Sequence, residues 1–459
     1  MKIEAVVALV ALALGCSGEA RPPAASPAPS PPAPSAPARA QEDEAQATVD
    51  ASLAQVSELR QLGAIGGVRS KVIGRAELLR RMKEDLFAEL EPELIQGTSE
   101  LLFALGASSA DLDYLGSILT LLGSQLAGFY DPRVKEMVLL DDLGEEAEAA
   151  TLSHELVHAL QDQHYNLEKL VKWSPGRGDV MTAIQCLAEG DATSAMLDAM
   201  LAPQGRSALD LPENTLKNMM SPLEAEPDIA SVPPMLKRSV VAPYADGLAF
   251  THALRRRGGW AAVDAAWRDL PASSEQILHP DKYFSKEAPE RVPVPLAAPG
   301  GPEALLYHDV IGEQGLRIVF EEWVPLTTAA ETAAGWAGDS VAVYSAGERR
   351  GVAIRVRFDD EAHAIRAHET LARGALTEEL ETRQGDRRPP GVAREAAMKA
   401  IVRGGVCRER ERRGPFAVVR AGRDLGVALG PYQRRSGGAK SDATCATGLR
   451  WADSIARAP

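Results

Sequence analysis

Between about Glu44 and Leu105, apolar residues recur at three- and four-residue spacing, first in VDASLAQVSELRQL and then, after a Gly-rich break at GAIGG, in RAELLRRMKEDLFAELEPELI. This is the period of amphipathic helices, and it predicts a packed helical framework, with an inhibitory pro-segment as the alternative. The pattern then shortens. LAGFY and EMVLL flank the polar DPRVK, which predicts a β-hairpin with Pro132 in its turn. From Glu145 to about Gln163 the chain is helix-like again, with acids in the first turn where the helix dipole favours them. A second helix is predicted from Met181 to about Leu201, with Gly190 tolerated at some cost in propensity.

Pro-rich loops follow, then helical segments around LAFTHALRRR and GWAAVDAAWRDL and a turn-rich PASSEQILHPDKY. From about Ala337 the period falls to two in SVAVYSAGERRGVAIRVRF, which predicts a half-buried hairpin. EAHAIRAHETLA reads as a helix and GPFAVVRAGRDLGVALG as another hairpin. The fold class expected is therefore α+β: a mainly helical core with an edge hairpin over residues 44–325, and a smaller α+β domain over residues 326–459.

The first 43 residues follow neither period. Lys2 is followed by AVVALVALALG, long enough for the apolar region of a signal peptide and too short to span a bilayer. LALGCSG resembles the bacterial lipoprotein signal, whose Cys, here Cys16, is lipidated and becomes the mature N-terminus; ordinary secretion with cleavage nearby is the alternative. Either way the protein is exported, with residues 1–16 as leader. Ser17 lacks the inner-membrane Asp signal of such lipoproteins, which points by analogy to the outer membrane. Residues 17–43 are Pro-, Ala- and Ser-rich, offer little to bury and read as a tether.

The chain of 459 residues carries a net charge of −14, which argues against nucleic acid as a partner. The charge is uneven: residues 381–459 hold 17 Lys and Arg against 8 Asp and Glu, a net +9 that leaves −23 for the remainder. This basic tail reads as a solvated surface, or as one that docks on the acidic body or on anionic lipid. Export permits oxidation, and Cys407 and Cys445 share one C-terminal segment and could bridge. Cys186 lies in an apolar helical pattern, where a buried free thiol is expected.

The chemistry concentrates in SHELVHALQDQH, residues 153–164, in a chain with only eight histidines. His154 and His158 are four apart and share one helix face, so both imidazoles can reach one ion. Glu155 sits beside them. Such a set suits one Zn²⁺, with Glu155 as the base for its water. A third ligand must come from another element, and LAEGDA in the following helix offers Glu189. An acid among Ile184, Leu187, Ala188, Ala192 and Met196 would otherwise face a desolvation penalty. His164 reads as an exposed helix-end residue and His252 as packing.

GFYDPRVKEMVLL, HELVHALQDQH, AEGDAT, PYADG, SSEQILHPDKY and GWAGD together resemble a family of uncharacterised bacterial zincin-type lipoproteins, similar in pattern to the Glu-liganded zinc peptidases. The likeness spans about residues 100–360. It implies a zincin-like core, with an edge strand above a cleft, an active-site helix bearing His154, Glu155 and His158, and a second helix supplying Glu189. In thermolysin-like enzymes the ligand Glu opens an ExxxD pattern whose Asp supports a metal-bound His; here Glu189 is followed by Asp191 at two and Thr193 at four. Asp191, Asp179 and Asp162 are then the candidates for that support.

His279 and Tyr244, in segments that read as loops, are candidate oxyanion or substrate contacts. The Trp336–Asp339 stretch reads as a tight turn. The function expected is an exported, lipid-anchored zinc metallohydrolase acting on peptide or protein substrates, with an edge strand near Phe129–Asp131 aligning the chain. The alternative is a non-catalytic envelope lipoprotein with a structural metal site or peptide-binding cleft, with His164 as the only nearby spare imidazole. The sequence leaves the oligomeric state open.

Overall fold

The first described element is α1 (Ala36–Arg60). It begins inside the stretch expected as tether, because Pro37 fits a first helical turn and the Ala-, Gln- and Glu-rich residues after it favour helix. The computed structural model describes residues 36–125, 128–141, 145–170, 174–212, 229–298, 300–301, 303–376, 405–435 and 438–458. The leader, Cys16 and the tether up to residue 35 lie outside the described residues, as does part of the basic tail. Among the described residues no helix is long and apolar enough to cross a membrane.

Residues 69–73 form a strand that the helical reading of this region did not anticipate. β1 (Arg69–Ile73) lies between Gly67 and Gly74 and pairs in parallel with β3 (Glu136–Leu140). The signal was short, and three of its five residues are polar or charged. The expected hairpin is present: β2 (Gly128–Asp131) pairs antiparallel with β3, around a turn that contains Pro132. The sheet order is β1-β3-β2, so β2 is an edge strand among the described residues, with all four of its residues buried. Between these strands run α2 (Arg75–Glu89), α3 (Pro92–Leu105) and α4 (Tyr114–Gln125).

Two central helices follow, α5 (Glu145–Tyr165) and, after the short α6 (Leu167–Leu170), α7 (Gly178–Leu201). Both are buried on every side along their middle turns, α5 from 150 to 162 and α7 from 186 to 198. That burial explains why neither shows a clean apolar stripe. One core joins α1 (Val49, Leu53, Val56), α5 (Leu152, Leu156, Leu160), α7 (Ala183, Leu187) and α8 (Pro234–Arg268), where Phe250 and Leu254 contribute. The two helical segments read around residues 248–270 are this single element, kinked where Gly258 and Gly259 leave helical geometry, Gly259 with φ +62°.

α7 and α8 touch backbone to backbone. A Cβ on Gly190 would sit 2.0 Å from the Gly247 carbonyl oxygen, and one on Gly247 would sit 1.9 Å from that of Cys186. Gly190 is therefore a steric requirement of the crossing, and PYADG supplies its counterpart. Short helices α9 (Ser274–Leu278) and α10 (Pro280–Ser285) complete this region.

The C-terminal sheet starts earlier than residue 326. β4 (Ala304–Asp309) pairs with β5 (Trp336–Ala346), and the order runs β4-β5-β6-β9-β8-β7, with β6 (Arg349–Phe358), β7 (Gly405–Arg408), β8 (Phe416–Ala421) and β9 (Asp424–Arg435), and β10 (Gly438–Lys440) beside β9. The Trp336–Asp339 stretch, expected as a turn, is the first part of β5 and carries a bulge between Trp336 and Gly338. α11 (Gly312–Phe320), α12 (Leu326–Ala333) and α13 (Glu361–Leu376) share a core with Val352, Ile354 and Val356 of β6. Ala353, on the opposite face, packs with Trp451 and Ile455 of α14 (Cys445–Ala456), so helices cover both faces.

The basic segment docks on the body. Arg410 donates to the Ala104 carbonyl at 2.7 Å, and Arg413 to those of Phe103 and Ser108 at 2.8 and 2.9 Å, which satisfies carbonyls at the C-terminal end of α3. Tyr432 and Arg434 both hold Glu100 of the same helix, at 2.6 and 2.8 Å.

Cys407 and Cys445 form a disulfide that ties β7 to α14, and Cys186 is a buried free thiol. Closing the 38-residue separation stabilises the fold by about 4 kcal/mol on the chain-entropy account. Cys445→Ser is expected to lower the unfolding free energy by about that amount in urea titration; an unchanged midpoint contradicts it. Gly247→Ala is expected to cost at least ~3 kcal/mol, because backbone rather than a movable side chain blocks the added methyl. Gly67→Ala, with nothing within 4 Å of its added Cβ, serves as the control and is expected to melt near wild type.

Candidate metal centre

The one-turn spacing on α5 brings the two imidazoles together facing α7. His154 Nε2 and His158 Nε2 lie 3.1 Å apart, and Glu189 Oε2 lies 3.2 Å from the first and 3.6 Å from the second. All three side chains are buried. Donors about 2.0–2.1 Å from a tetrahedral Zn²⁺ stand about 3.3 Å from one another, so this spacing fits a single ion of that kind. Two imidazoles and a carboxylate are also its ordinary donor chemistry. Among the described residues the other grouping of this sort, Glu275, Glu287 and Asp359, already holds the Lys282 ammonium, at 2.6, 2.8 and 3.2 Å.

Glu155 points toward β2, the edge strand of the small sheet among the described residues. Its Oε2 accepts from the Tyr130 backbone N–H at 2.9 Å. Its Oε1, like Glu189 Oε1, is buried without a hydrogen-bond partner among the described residues. Two orphaned carboxylate oxygens beside two imidazoles mark a place built for a cation or a polar ligand, since burial without a partner is costly. Burial pushes the Glu155 carboxyl up to about 7. Burial works against charge on His158, but the Glu189 carboxylate outweighs it and raises this imidazole to about 9. Burial holds His154 below its usual value, and burial of Glu189 is overcome by His158 and His154, which hold its carboxyl below the usual range.

Tyr244 is at the site but not in a loop. It lies within α8, one residue after Pro243, and its ring stacks on His154 with centroids 5.9 Å apart and planes 28° apart. His279 is paired elsewhere: it lies between α9 and α10, and its Nε2 contacts Glu313 Oε1 on α11 at 2.8 Å. His164 contacts the Gly63 carbonyl at 2.7 Å on the exposed end of α5. His252 is buried, and burial lowers it to about 4.

Of the three acids considered as supports, Asp179 accepts from the Ser274 backbone N–H, and Asp162 accepts from the Tyr130 hydroxyl at 3.0 Å. Asp191 is the one connected to the imidazoles, through a residue that sequence reasoning missed. Gln161 Oε1 lies 2.8 Å from His158 Nδ1, and Gln161 Nε2 donates to Asp191 Oδ2 at 3.1 Å and to the Ala188 carbonyl at 3.0 Å. The available signal was spacing: Gln161 is three residues after His158 and shares its helix face.

A family model described as Domain of unknown function (DUF8575) matches residues 304–435, the stretch from β4 through β9. No curated protein and no solved structure matches the chain. The metal centre on α5 and α7 lies outside the matched residues.

Because His279 is committed to Glu313, His279→Gln is expected to leave metal content and any hydrolytic rate within about twofold of wild type. Elemental analysis and initial rates check this, and a loss of either beyond tenfold would return His279 to the site.

Proposed function

We propose that this protein is an exported zinc-dependent hydrolase that cleaves peptide bonds, with His154, His158 and Glu189 holding the ion and Glu155 acting as general base. The observation that carries the reading is the meeting of two Nε2 atoms and a Glu189 oxygen within 3.6 Å of one another, beside a second carboxylate with one oxygen unengaged. When bound, Zn²⁺ supplies a Lewis acid for the scissile carbonyl and lowers the pKa of a water molecule. Glu155 is suited to take the proton of the attacking water and deliver it to the leaving amine. Burial raises its carboxyl above the usual range before any cation binds, which favours holding a proton there. The Tyr130 N–H fixes one carboxylate oxygen and leaves the other for that proton.

β2 ends the small sheet among the described residues, and its outer edge, past the Tyr130 N–H that Glu155 holds, is where a peptide substrate would align by adding a strand. The fold we propose for residues up to about 300 is zincin-like: a helix with the paired histidines, a second helix with the third ligand, and an edge strand touching the base. We further propose that Cys16 carries the lipid anchor, holding the body off the outer membrane on the Pro-rich tether. The competing reading, a structural metal site in a non-catalytic lipoprotein, draws support from the complete burial of Glu155 and Glu189. A closed structural site needs a fourth protein ligand, and the spare imidazole on this helix, His164, is engaged with Gly63 instead.

Glu155→Gln is expected to retain one zinc per chain while peptide-library cleavage falls by about 10²–10⁴. His158→Ala is expected to lose both metal and cleavage. Equal cleavage by wild type and Glu155→Gln, or no turnover by either with stability that depends on zinc, would overturn the hydrolase.

A further inference from the structure

We infer that Gln161 is a positioning residue that fixes His158 with its Nε2 lone pair toward the cation site, and that Asp191, Arg60 and Trp267 fix Gln161 in turn. The inference deepens the zinc-hydrolase reading, and only its metal-affinity arm rests on that reading.

The direction of each hydrogen bond decides it. Gln161 Nε2 lies 3.0 Å from the Ala188 carbonyl oxygen and 3.1 Å from Asp191 Oδ2. Both neighbours are acceptors, so the amide nitrogen must be at this end; a flipped amide would set its oxygen against two others. The amide oxygen therefore faces His158 Nδ1, at 2.8 Å. An oxygen of this kind only accepts, so Nδ1 must carry a proton whether the ring is neutral or charged. In the neutral ring that leaves Nε2 bare, and Nε2 is the atom that faces His154 and Glu189.

The clamp on Gln161 is anchored deep in the protein. Asp191 Oδ1 is met by Arg60 Nε, and Oδ2 accepts from Arg60 Nη2 at 3.2 Å and from Trp267 Nε1 at 2.9 Å. Arg60, the last residue of α1, and Asp191 are both fully buried. Arg60 also binds Asp264 Oδ1 at 2.7 Å, which accepts from the Tyr165 hydroxyl at 3.2 Å. With Arg60 paired to it and Trp267 donating to it, Asp191 is held as an acceptor, and this orients the Gln161 amide. One stretch of α7, residues 188–191, thus supplies both the Glu189 ligand and two anchors for the group that orients His158. Such outer contacts are worth about 10–100-fold in metal affinity.

Two measurements on the full chain test this. In metal-free wild type, at a pH high enough to leave the ring neutral, long-range ¹H–¹⁵N spectra are expected to show His158 Nδ1 protonated and Nε2 bare, with the resonance assigned by its loss in His158→Asn; a bare Nδ1 overturns the inference. In the second, zinc affinity is measured by competition with a chromophoric chelator. Gln161→Met is expected to bind about 10–100-fold more weakly than wild type, and Trp267→Phe more weakly by a smaller factor. Because the Trp267 N–H reaches His158 by way of Asp191 and Gln161, the double variant is expected to match Gln161→Met alone. Wild-type affinity in Gln161→Met, or multiplicative losses in the double variant, contradicts the relay. A wild type that binds no zinc yet shows the Nδ1 proton sinks the hydrolase and leaves the relay standing.

Discussion

A carboxylate cannot be left uncompensated inside a protein core, and α7 buries two of them, Glu189 and Asp191, within a single turn. The architecture around this turn answers that constraint. Asp191 is met by a guanidinium from α1, an indole N–H from α8 and an amide from α5. Glu189 is met by two imidazoles from α5. Four helices are thereby fixed in mutual register by the charges they must neutralise. One carboxylate is fully answered by protein groups; the other keeps an oxygen with no partner among the described residues, and that asymmetry separates the closed half of the turn from the half we propose meets a cation.

Steric fit makes this electrostatic arrangement possible. Gly190, between the two acids in sequence, lets α8 approach α7 to backbone contact at Gly247. The same approach brings Tyr244, three residues before Gly247, into stacking contact with His154. The C-terminal sheet is joined to the helical body rather than appended to it: Arg410 and Arg413 satisfy the end of α3, and Arg317 of α11, which packs on the sheet, donates to Asp246 of α8 at 2.6 Å. The proposed base and ligands therefore stand on elements that are each held at several points, as a preorganised site requires.

Much of this was legible because the relevant signals are local. The i, i+4 pair of histidines, the two C-terminal hairpins and the hairpin around Pro132 each follow from short-range period and turn chemistry, and the structure contains them. Glu189 was readable as an acid in an apolar helix, since such a residue demands a partner. Other features depend on partners distant in sequence. Arg60 lies 131 residues from Asp191, and nothing near it announces that it is buried. Tyr244 was read as a loop residue because Pro243 breaks most helices, but here the helix continues through it. β1 was hidden because a five-residue strand that opens with three consecutive polar residues carries little signal against the strong helical period on either side. His279 is a metal-compatible residue whose role was decided by Glu313, 34 residues away.

The central claim is that two imidazoles and one carboxylate share a cation with a position left for solvent. X-ray absorption at the zinc edge of the zinc-loaded full chain tests it most directly. The account predicts a first shell of nitrogen and oxygen only, with the outer-shell scattering of two imidazoles and no sulfur. Three or more imidazoles, a sulfur donor, or the absence of any tightly held zinc would contradict it.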